Sequence, residues 1–229
     1  KREHADLIVG NNVLAHVPDI VDFVAGMKIL LKPGGVITME FPHLLQLMEK
    51  NQFDTIYHEH FSYLSFYTVQ KIFESQGLIL FDVEEIPTHG GSLRIFAKHN
   101  DNTTLLVSGN VEKLLHKEKL RGISDINSYK NFQRRVQEVK LELLSFLIRA
   151  KKEGKKVVAY GAAAKGNTIL NYSGVKNDLI DFVADANPHK QGKFLPASHI
   201  PVRSEEALKE ARPDYIIILP WNIRDEITQ

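Results

Sequence analysis

Asp6-Leu-Ile-Val-Gly-Asn-Asn-Val-Leu-Ala-His-Val-Pro-Asp19 combines an apolar strand, a pair of asparagines and a polar loop. Pro18 and Asp19 suit the start of a helix, which we predict from about Ile20 to Leu31. Leu31-Lys-Pro-Gly-Gly-Val-Ile-Thr-Met-Glu40 then contains a glycine turn and a second apolar, β-branched strand. A strand, a helix and a strand in this order predict an α/β sheet of parallel strands, with ligands bound at their carboxyl ends.

The rest of the chain continues this alternation and divides into three parts. The spacing of apolar residues predicts a helix from Tyr67 to Gln76, closed by Gly77 and followed by two strands. From Asn110 to Lys152 apolar residues recur at three- and four-residue intervals, which predicts a long amphipathic connector. Beyond Gly154, strands alternate with helices again and predict a second parallel, doubly wound unit. We therefore predict domains at residues 1–108, 109–153 and 154–229.

Composition excludes several classes of protein. The chain has 229 residues, of which 43% are hydrophobic and 25% charged, as is typical of soluble globular proteins. A net charge of +1 indicates no binding to duplex nucleic acid or to an anionic membrane. The absence of cysteine excludes disulfides, a thiolate nucleophile and cysteine-ligated metal sites within the chain. No apolar run approaches the ~20 residues needed to cross a bilayer, so we expect a cytoplasmic protein.

Tyr57-His58-Glu59-His60 is the richest cluster of titratable side chains in the sequence. Either imidazole is suited to act as a base near neutral pH, and an extended backbone would point both the same way. The residue types alone also fit a polar loop whose histidines cap backbone groups. A metal-dependent enzyme is a further alternative, but the helical H-E-x-x-H spacing is absent. We therefore predict no metal site.

Several motifs together resemble a known family. The first two segments, with Glu40-Phe-Pro42, resemble the second half of a class I S-adenosylmethionine-dependent methyltransferase. Three further motifs extend the resemblance: Tyr57-His-Glu-His-Phe-Ser-Tyr-Leu-Ser65, His89-Gly-Gly-Ser-Leu-Arg94 and Tyr160-Gly-Ala-Ala-Ala-Lys-Gly-Asn-Thr168. Their order is similar to that of the C-methyltransferases that act on nucleotide-linked 4-keto-6-deoxy sugars. The resemblance covers nearly the whole chain.

This resemblance implies a fold, a reaction and a set of site residues. The implied fold is a partial class I methyltransferase (Rossmann-like) sheet, a helical connector and a second Rossmann-like α/β domain that helps to hold the nucleotide. His60 would remove a proton from the carbon beside the ketone, with Tyr57 and Glu59 close to the sugar. The enolate would then take a methyl group from S-adenosylmethionine. The implied cofactor contacts are Asn11, Asn12 and Leu14, and the implied substrate contacts are His58, His89, Lys165, Gly166 and Asn167.

The sequence also departs from the family pattern. Members of the family begin with a cysteine-rich zinc module and the first half of the methyltransferase sheet, neither of which is found here. We therefore expect this chain to be part of a longer protein. A non-catalytic module that binds a nucleotide sugar or a dinucleotide is the alternative function. The turn at Gly161-Ala-Ala-Ala-Lys-Gly-Asn167 fits either a pyrophosphate site or tight packing of a strand on a helix. The sugar, the methylated carbon and the oligomeric state are not determined by the sequence.

Overall fold

The computed structural model describes residues 4–229 and divides into two compact units. The first unit contains residues 4–52 and His58–Phe132, and the second contains Phe53–Tyr57 and Gln133–Gln229. The division into residues 1–108, 109–153 and 154–229 stays a prediction, and its first three residues lie outside the described part. The fold class is confirmed as α/β with a Rossmann-like sheet in the first unit and a second sheet in the other.

The first unit is built on a mixed four-stranded sheet of order β1-β2-β4-β3. Its strands are β1 (Ala5–Asn11), β2 (Leu31–Pro42), β3 (Leu78–Ile86) and β4 (Ser92–His99). β1 and β2 are parallel, as expected, but β4 is antiparallel to both β2 and β3. The parallel pairing predicted for β1 and β2 is therefore confirmed. β3 and β4 pair antiparallel because a tight turn through Gly90 and Gly91 joins them.

Four helices and part of a fifth complete this unit. They are α1 (Ile20–Leu30), α2 (Leu44–Glu49), α3 (Phe66–Ser75), α4 (Gly109–Leu120) and the first turns of α5 (Ile126–Lys152). Asp19 caps α1 by accepting hydrogen bonds from the backbone of Val21 and Asp22, as its residue type predicts. Gly77 follows α3 with φ of +72°, the left-handed conformation expected of it. Aliphatic and aromatic side chains from β2, β4, α1 and α3 form the core.

The predicted glycine turn at Lys32–Gly35 is an irregular part of β2. Ala5 pairs with Leu31, whereas Leu7 pairs with Val36, so the added residues of β2 bulge out of the ladder. Gly35 permits this bulge, because a Cβ there would lie 2.9 Å from the carbonyl oxygen of Ala5. The strand thus begins earlier than the sequence predicts.

The predicted helical connector is interrupted. α4 ends at Leu120 and α5 starts at Ile126, with Gly122 between them at φ of +71°. The side chain of Asp125 accepts a hydrogen bond from the backbone of Asn127 at the start of α5. A left-handed glycine and a new helix start explain why one continuous amphipathic pattern forms two helices.

The second unit contains a four-stranded parallel sheet of order β7-β6-β5-β8. Its elements are the rest of α5, β5 (Val157–Tyr160), α6 (Ala164–Ser173), β6 (Val183–Ala184), β7 (Val202–Arg203), α7 (Glu205–Ala211), β8 (Tyr215–Ile218) and α8 (Arg224–Ile227). The parallel, doubly wound arrangement predicted here is confirmed. β6 has only two residues and pairs with β7, a strand of the same length that the sequence did not predict.

Within residues 4–229, none of the helices is both long and apolar enough to cross a bilayer. The cytoplasmic location stays a prediction.

Candidate functional site

The loop after β1 lies at the carboxyl end of the first sheet. Asn12 has φ of +55°, and its backbone N–H donates a 2.9 Å hydrogen bond to the carbonyl oxygen of Glu40, at the carboxyl end of β2. Leu14 and Ala15 form a short 3-10 turn with His16, and Leu14 is fully buried in the core. The buried leucine therefore anchors the loop, and only its main chain remains for the cofactor contact predicted at this position.

Two imidazoles meet next to this turn. The rings of His16 and His60 pack edge to face, with centroids 4.8 Å apart. His16 Nδ1 donates a 2.8 Å hydrogen bond to the carbonyl oxygen of Glu59, which leaves the lone pair of a neutral His16 on Nε2. His60 also packs against the ring of Tyr63, with centroids 5.9 Å apart. The two ring contacts restrict the orientation of the His60 imidazole.

Backbone hydrogen bonds hold the segment that carries His60. The carbonyl oxygen of Ala15 accepts hydrogen bonds from the backbone N–H groups of Phe61 at 2.8 Å and Ser62 at 3.3 Å. Leu64 forms an isolated bridge with His43, directly after β2. The segment is therefore attached to the ends of both parallel strands of the first sheet.

The loop between β3 and β4 brings His89 to the same edge of the sheet. The side-chain amide of Asn12 donates a 2.8 Å hydrogen bond to Nε2 of His89, and His89 has φ of +54°. Lys50 and Gln52 stabilise the turn, because each donates a 2.9 Å hydrogen bond to the carbonyl oxygen of Gly90. The structure therefore joins one predicted cofactor contact, Asn12, to one predicted substrate contact, His89.

An ion pair supports the carboxyl end of β2. Glu40 pairs in register with Arg94 on β4, and the Arg94 guanidinium donates two hydrogen bonds to the Glu40 carboxylate. The Glu40 side chain is nearly buried, so this bond neutralises a charge that has little access to water. Glu40 is thus held as part of the scaffold of the site.

The other residues of the predicted catalytic cluster differ in their environments. His58 and Glu59 are exposed and His60 is half-buried, all within the first unit. Tyr57 is half-buried and belongs to the second unit. Asn11 is the last residue of β1 and is exposed. The His60 imidazole is thus the more enclosed of the two histidines that the sequence offers as a base.

In the second unit, the glycine turn after β5 forms tight packing contacts. Gly161 has φ of +88°, and a Cβ there would lie 2.5 Å from Cδ of Pro220. A Cβ on Gly166 would lie 2.7 Å from Cβ of Leu219. These approaches agree with the packing alternative for the two glycines, because any side chain would displace a neighbouring residue.

The polar residues of this turn have a different environment. Lys165 is half-buried and donates a 2.6 Å hydrogen bond to Oδ1 of Asn222, with Nζ 4.6 Å from the centre of the Trp221 ring. Burial lowers the pKa of Lys165, and the charge of Asp54 opposes this change. Oδ1 of Asn167 is buried without a hydrogen-bond partner among the described residues. Lys165 and Asn167 therefore remain candidates for contact with a polar ligand.

Asp185, directly after β6, stabilises the turn that follows β5. Its carboxylate accepts hydrogen bonds from the backbone of Ala162 at 2.7 Å and Asn187 at 2.8 Å, and from Lys190 at 3.2 Å. Through these three hydrogen bonds, the Asp185 carboxylate holds the loops that follow β5 and β6.

The first unit offers space for a cofactor beside β1. A cavity of about 300 to 1,000 Å³ is typical of small-molecule sites, and one of about 660 Å³ lies between β1 and α1. Residues from Ile8 to Asn11, with Val13, Phe23 and Met27, contribute to its mostly apolar lining. The amides of Asn11 and Asn12 follow at the carboxyl end of β1. An apolar wall with adjacent amides suits a nucleoside with polar groups, so these residues fit such a cofactor.

The structure also reveals one residue that the sequence did not single out. His16 lies in the His-Val-Pro-Asp loop, where it follows a strand and precedes a helix. Its contact with Glu59 spans 43 residues, and no motif spacing indicates that distance. Among residues 4–229, no three histidine, aspartate or glutamate side chains converge in a way that would hold a metal ion.

Two family models match the chain. Residues 87–229 match the model described as "C-methyltransferase C-terminal domain", and residues 1–82 match a "Methyltransferase domain". The chain is 38% identical over 225 residues to "C-methyltransferase NovU" of Streptomyces niveus. The match covers 97% of this chain but only 53% of the relative, so the chain spans about half the length of that protein.

Solved structures with some similarity include two methyltransferases. One is a complex between the Haloferax volcanii Trm112 methyltransferase activator and a putative methyltransferase, with 14% identity, a TM-score of 0.36 and coverage of 42% of this chain and 55% of that one. The other is magnesium protoporphyrin IX methyltransferase from Synechocystis PCC 6803 with bound SAH. It has 14% identity, a TM-score of 0.33 and coverage of 42% and 45%.

Proposed function

Because this chain belongs to the family of the C-methyltransferase C-terminal domain, we propose that it acts in S-adenosylmethionine-dependent methylation of carbon. The proposed acceptor is the carbon next to the ketone of a nucleotide-linked keto-deoxysugar. The single observation that carries the proposal is the packing of His60 against His16, whose Nδ1 is bonded to the carbonyl oxygen of Glu59.

His60 is the proposed base. Its imidazole takes a proton from the carbon beside the ketone, and the electron pair of the broken C–H bond moves into the enolate. A positioned base of this kind contributes about 10²–10⁴-fold to the rate. His60 is half-buried and packs against the rings of His16 and Tyr63. This supports His60 over the exposed His58, because a fixed base needs less reorientation during the reaction.

His16 is proposed to support this base. The edge-to-face contact restricts rotation of the His60 ring, and the bond to Glu59 fixes which nitrogen of His16 carries its proton. His89, held through Asn12, is proposed to contact the sugar. Tyr57, His58 and Glu59 are proposed to lie close to it.

Asn11 and Asn12 are proposed to hold the cofactor by their amides, with the main chain at Leu14 nearby. S-adenosylmethionine, when bound, supplies an electrophilic methyl group to the enolate carbon, and its sulfonium becomes a neutral thioether as the C–S bond breaks. The apolar cavity beside β1 supports this placement.

The second unit is proposed to hold the nucleotide of the substrate. Lys165 supplies a cation for the diphosphate, and Asn167 supplies an amide whose Oδ1 lacks a partner among the described residues. The N-terminus of α6 adds backbone N–H groups that favour an anion. Gly166 permits the close packing of α6 that places these groups.

Exchange of the hydrogen beside the ketone for solvent deuterium tests the base directly. A nucleotide-linked keto sugar is incubated in deuterated buffer with the full gene product, and the exchange is followed by NMR. We expect His60→Asn to reduce the rate by at least 10²-fold and His58→Asn to leave it near that of the wild type. If only His58→Asn abolished exchange, the base would be His58.

Calorimetry separates the enzyme from the alternative, a non-catalytic nucleotide-binding module. The full gene product is titrated with S-adenosylhomocysteine and, separately, with the nucleotide sugar. We expect both to bind. Binding of the nucleotide sugar with neither cofactor binding nor deuterium exchange would support the binding module and reject the methyltransferase.

A further inference from the structure

Asp54 is a buried carboxylate in the second unit to which the proposed reaction assigns no role. It lies in the short 3-10 turn Phe53–Thr55 and is only 4% exposed. Its Oδ2 accepts a 2.7 Å hydrogen bond from the indole Nε1–H of Trp221, 167 residues later in the chain. Burial raises the pKa of Asp54, and the bond to Trp221 opposes this effect. A carboxylate withdrawn from water destabilises the fold unless its partners hold it well.

Lys165 lies on another side of the same indole. Its Nζ is 4.6 Å from the centre of the Trp221 ring and also donates to Asn222. The opposite charges of Asp54 and Lys165 influence each other, since each lowers the cost of burying the other. The N–H edge of one indole thus contacts the carboxylate while its face contacts the ammonium group.

The segment that contains Asp54 leads directly into the proposed catalytic run. Phe53–Tyr57 belongs to the second unit, although the residues on either side of it belong to the first. The ring of Phe53 packs against Tyr172 of α6, with centroids 5.2 Å apart. Asp54 and Phe53 therefore attach this segment to the unit that carries Lys165, and the segment ends at Tyr57.

We propose that Asp54 is a positioning residue which, through Trp221, couples the binding of a diphosphate at Lys165 to the placement of Tyr57. A diphosphate that binds Lys165 draws the ammonium group away from the indole and from the Asp54 carboxylate. The Asp54–Trp221 bond then carries that change to the segment Phe53–Tyr57. The inference rests on the proposed function for the class of substrate.

Fluorescence gives a direct test, because Trp221 is the one tryptophan of these 229 residues and the emission that disappears in Trp221→Phe isolates its signal in the full gene product. The full gene product is titrated with thymidine diphosphate, uridine diphosphate and inorganic pyrophosphate. We expect at least one nucleoside diphosphate to change the emission of Trp221, and Lys165→Met to weaken that response at least tenfold. Asp54→Ala should alter the emission of the free protein, whereas Asp54→Asn, which keeps an oxygen acceptor, should restore it. Unchanged emission with all three probes, or in Asp54→Ala, would overturn the coupling.

Kinetics distinguish positioning from a purely structural role. In the deuterium-exchange assay, Asp54→Ala should lower kcat about tenfold or more and change KM for the nucleotide sugar less than threefold. Trp221→Phe, which removes the N–H but keeps a ring, should reproduce this loss, and Asp54→Asn should recover most of the rate. Asp178→Asn, at an exposed carboxylate of the same unit, is the matched control.

The outcomes separate this inference from the proposed function. If the wild type exchanges the hydrogen but both Asp54→Ala and Trp221→Phe retain its kcat, the positioning role is wrong and the proposed function stands. If the wild type shows no exchange, the proposed function fails, and the fluorescence titration still decides whether Asp54 and Lys165 are coupled.

Discussion

The side-chain amide of Asn12 lies 2.8 Å from Nε2 of His89, and both residues have positive φ angles. They are 77 residues apart and close the carboxyl edge of the first sheet from two different loops. Left-handed backbone is uncommon for residues other than glycine, although asparagine tolerates it better than most. Two such residues bonded to each other indicate that the edge is held in a defined shape.

Replacement of Asn12 should separate backbone conformation from hydrogen bonding. Asn12→Ala should lower the free energy of unfolding by about 1–2 kcal/mol, because alanine is strained in left-handed backbone and the hydrogen bond to His89 is lost. Asn12→Gly should be more stable than Asn12→Ala by about 1 kcal/mol, because glycine adopts this φ without strain. Urea denaturation measures both values. Equal stability of the two variants would contradict this account of the backbone.

Replacement of His16 should slow the removal of the proton. His16→Phe keeps a ring beside His60 but loses the hydrogen bond to Glu59, so we expect deuterium exchange to fall about tenfold or more. His116→Phe, at an exposed position on α4, is the control and should exchange at the wild-type rate. If both phenylalanine variants exchanged equally fast, the Glu59 bond would have no part in positioning the base.

Gly166 tests whether a small residue in the second turn serves packing or ligand binding. Alanine is normally preferred to glycine in a helix by about 1 kcal/mol. At Gly166, however, the new Cβ would meet Leu219, and we expect Gly166→Ala to destabilise the protein by about 1–3 kcal/mol. Gly26→Ala in α1 is the matched control, since a Cβ there has no neighbour within 4 Å and should stabilise the helix.

Thermal and urea denaturation compare these two variants. A fully stable Gly166→Ala protein with weakened binding of nucleoside diphosphate would assign Gly166 to the ligand instead of the packing.

Glu118 should be important for the stability of the first unit. Its carboxylate accepts hydrogen bonds from Nε2 of His43 and from the backbone N–H groups of Phe66 and Tyr67 at the start of α3. The side chains of His43 and Glu118 are 0% and 2% exposed. Glu118→Ala leaves these donors buried without an acceptor, so the free energy of unfolding should fall by about 3–5 kcal/mol. Urea denaturation provides the measurement.

Glu112 is exposed on α4, the helix that also carries Glu118, and serves as the control. Glu112→Ala should lower the free energy of unfolding by less than about 1 kcal/mol. A similar small loss in Glu118→Ala would show that water replaces the carboxylate.

Tyr160 should make the stability of the second unit sensitive to alkali. Its phenol donates a 2.5 Å hydrogen bond to Glu205, and this bond together with burial raises the pKa of Tyr160 to about 12. The unfolded phenol ionises near pH 10. The folded state therefore holds this proton more tightly, and the stabilisation present below about pH 10 is lost as the pH rises towards about 12.

Denaturation at about pH 9 and about pH 11 tests this dependence, since the two values lie on either side of the ordinary tyrosine pKa. Tyr160→Phe should lose less free energy of unfolding between them than the wild type does. Tyr215→Phe, in the neighbouring strand β8, should behave like the wild type. Identical pH dependence in the wild type and Tyr160→Phe would contradict the role of the Glu205 bond.

Local features of the fold were predictable from sequence. Asp19 and Gly77 act at helix ends as their residue types indicate, because capping depends on a few neighbouring backbone groups. The antiparallel direction of β4 was harder to predict, because the alternation of strands with helices does not determine strand direction at a tight turn. The break at Gly122 was also missed, because the apolar spacing continues on both sides of it.

The candidate site was only partly predictable. The Tyr57-to-His60 run was recognisable from its titratable side chains, but His16 was not, because its relation to Glu59 spans 43 residues. The partnership of Asp54 and Trp221 likewise joins residues that no local pattern connects. Gly166 was ambiguous in sequence, and its approach to Leu219 depends on how α6 packs on the sheet.

The sequence by itself determined the alternation of strands and helices, the helix ends at Asp19 and Gly77, and the supply of histidines, amides and lysine for a site. These properties follow from periodicity and short-range hydrogen bonding, which act within a few residues. The tertiary structure alone decided which side chains meet: His16 with His60, Asn12 with His89, and Asp54 with Trp221. Those contacts depend on strand order and register, which are selected by burial of apolar surface across the whole unit.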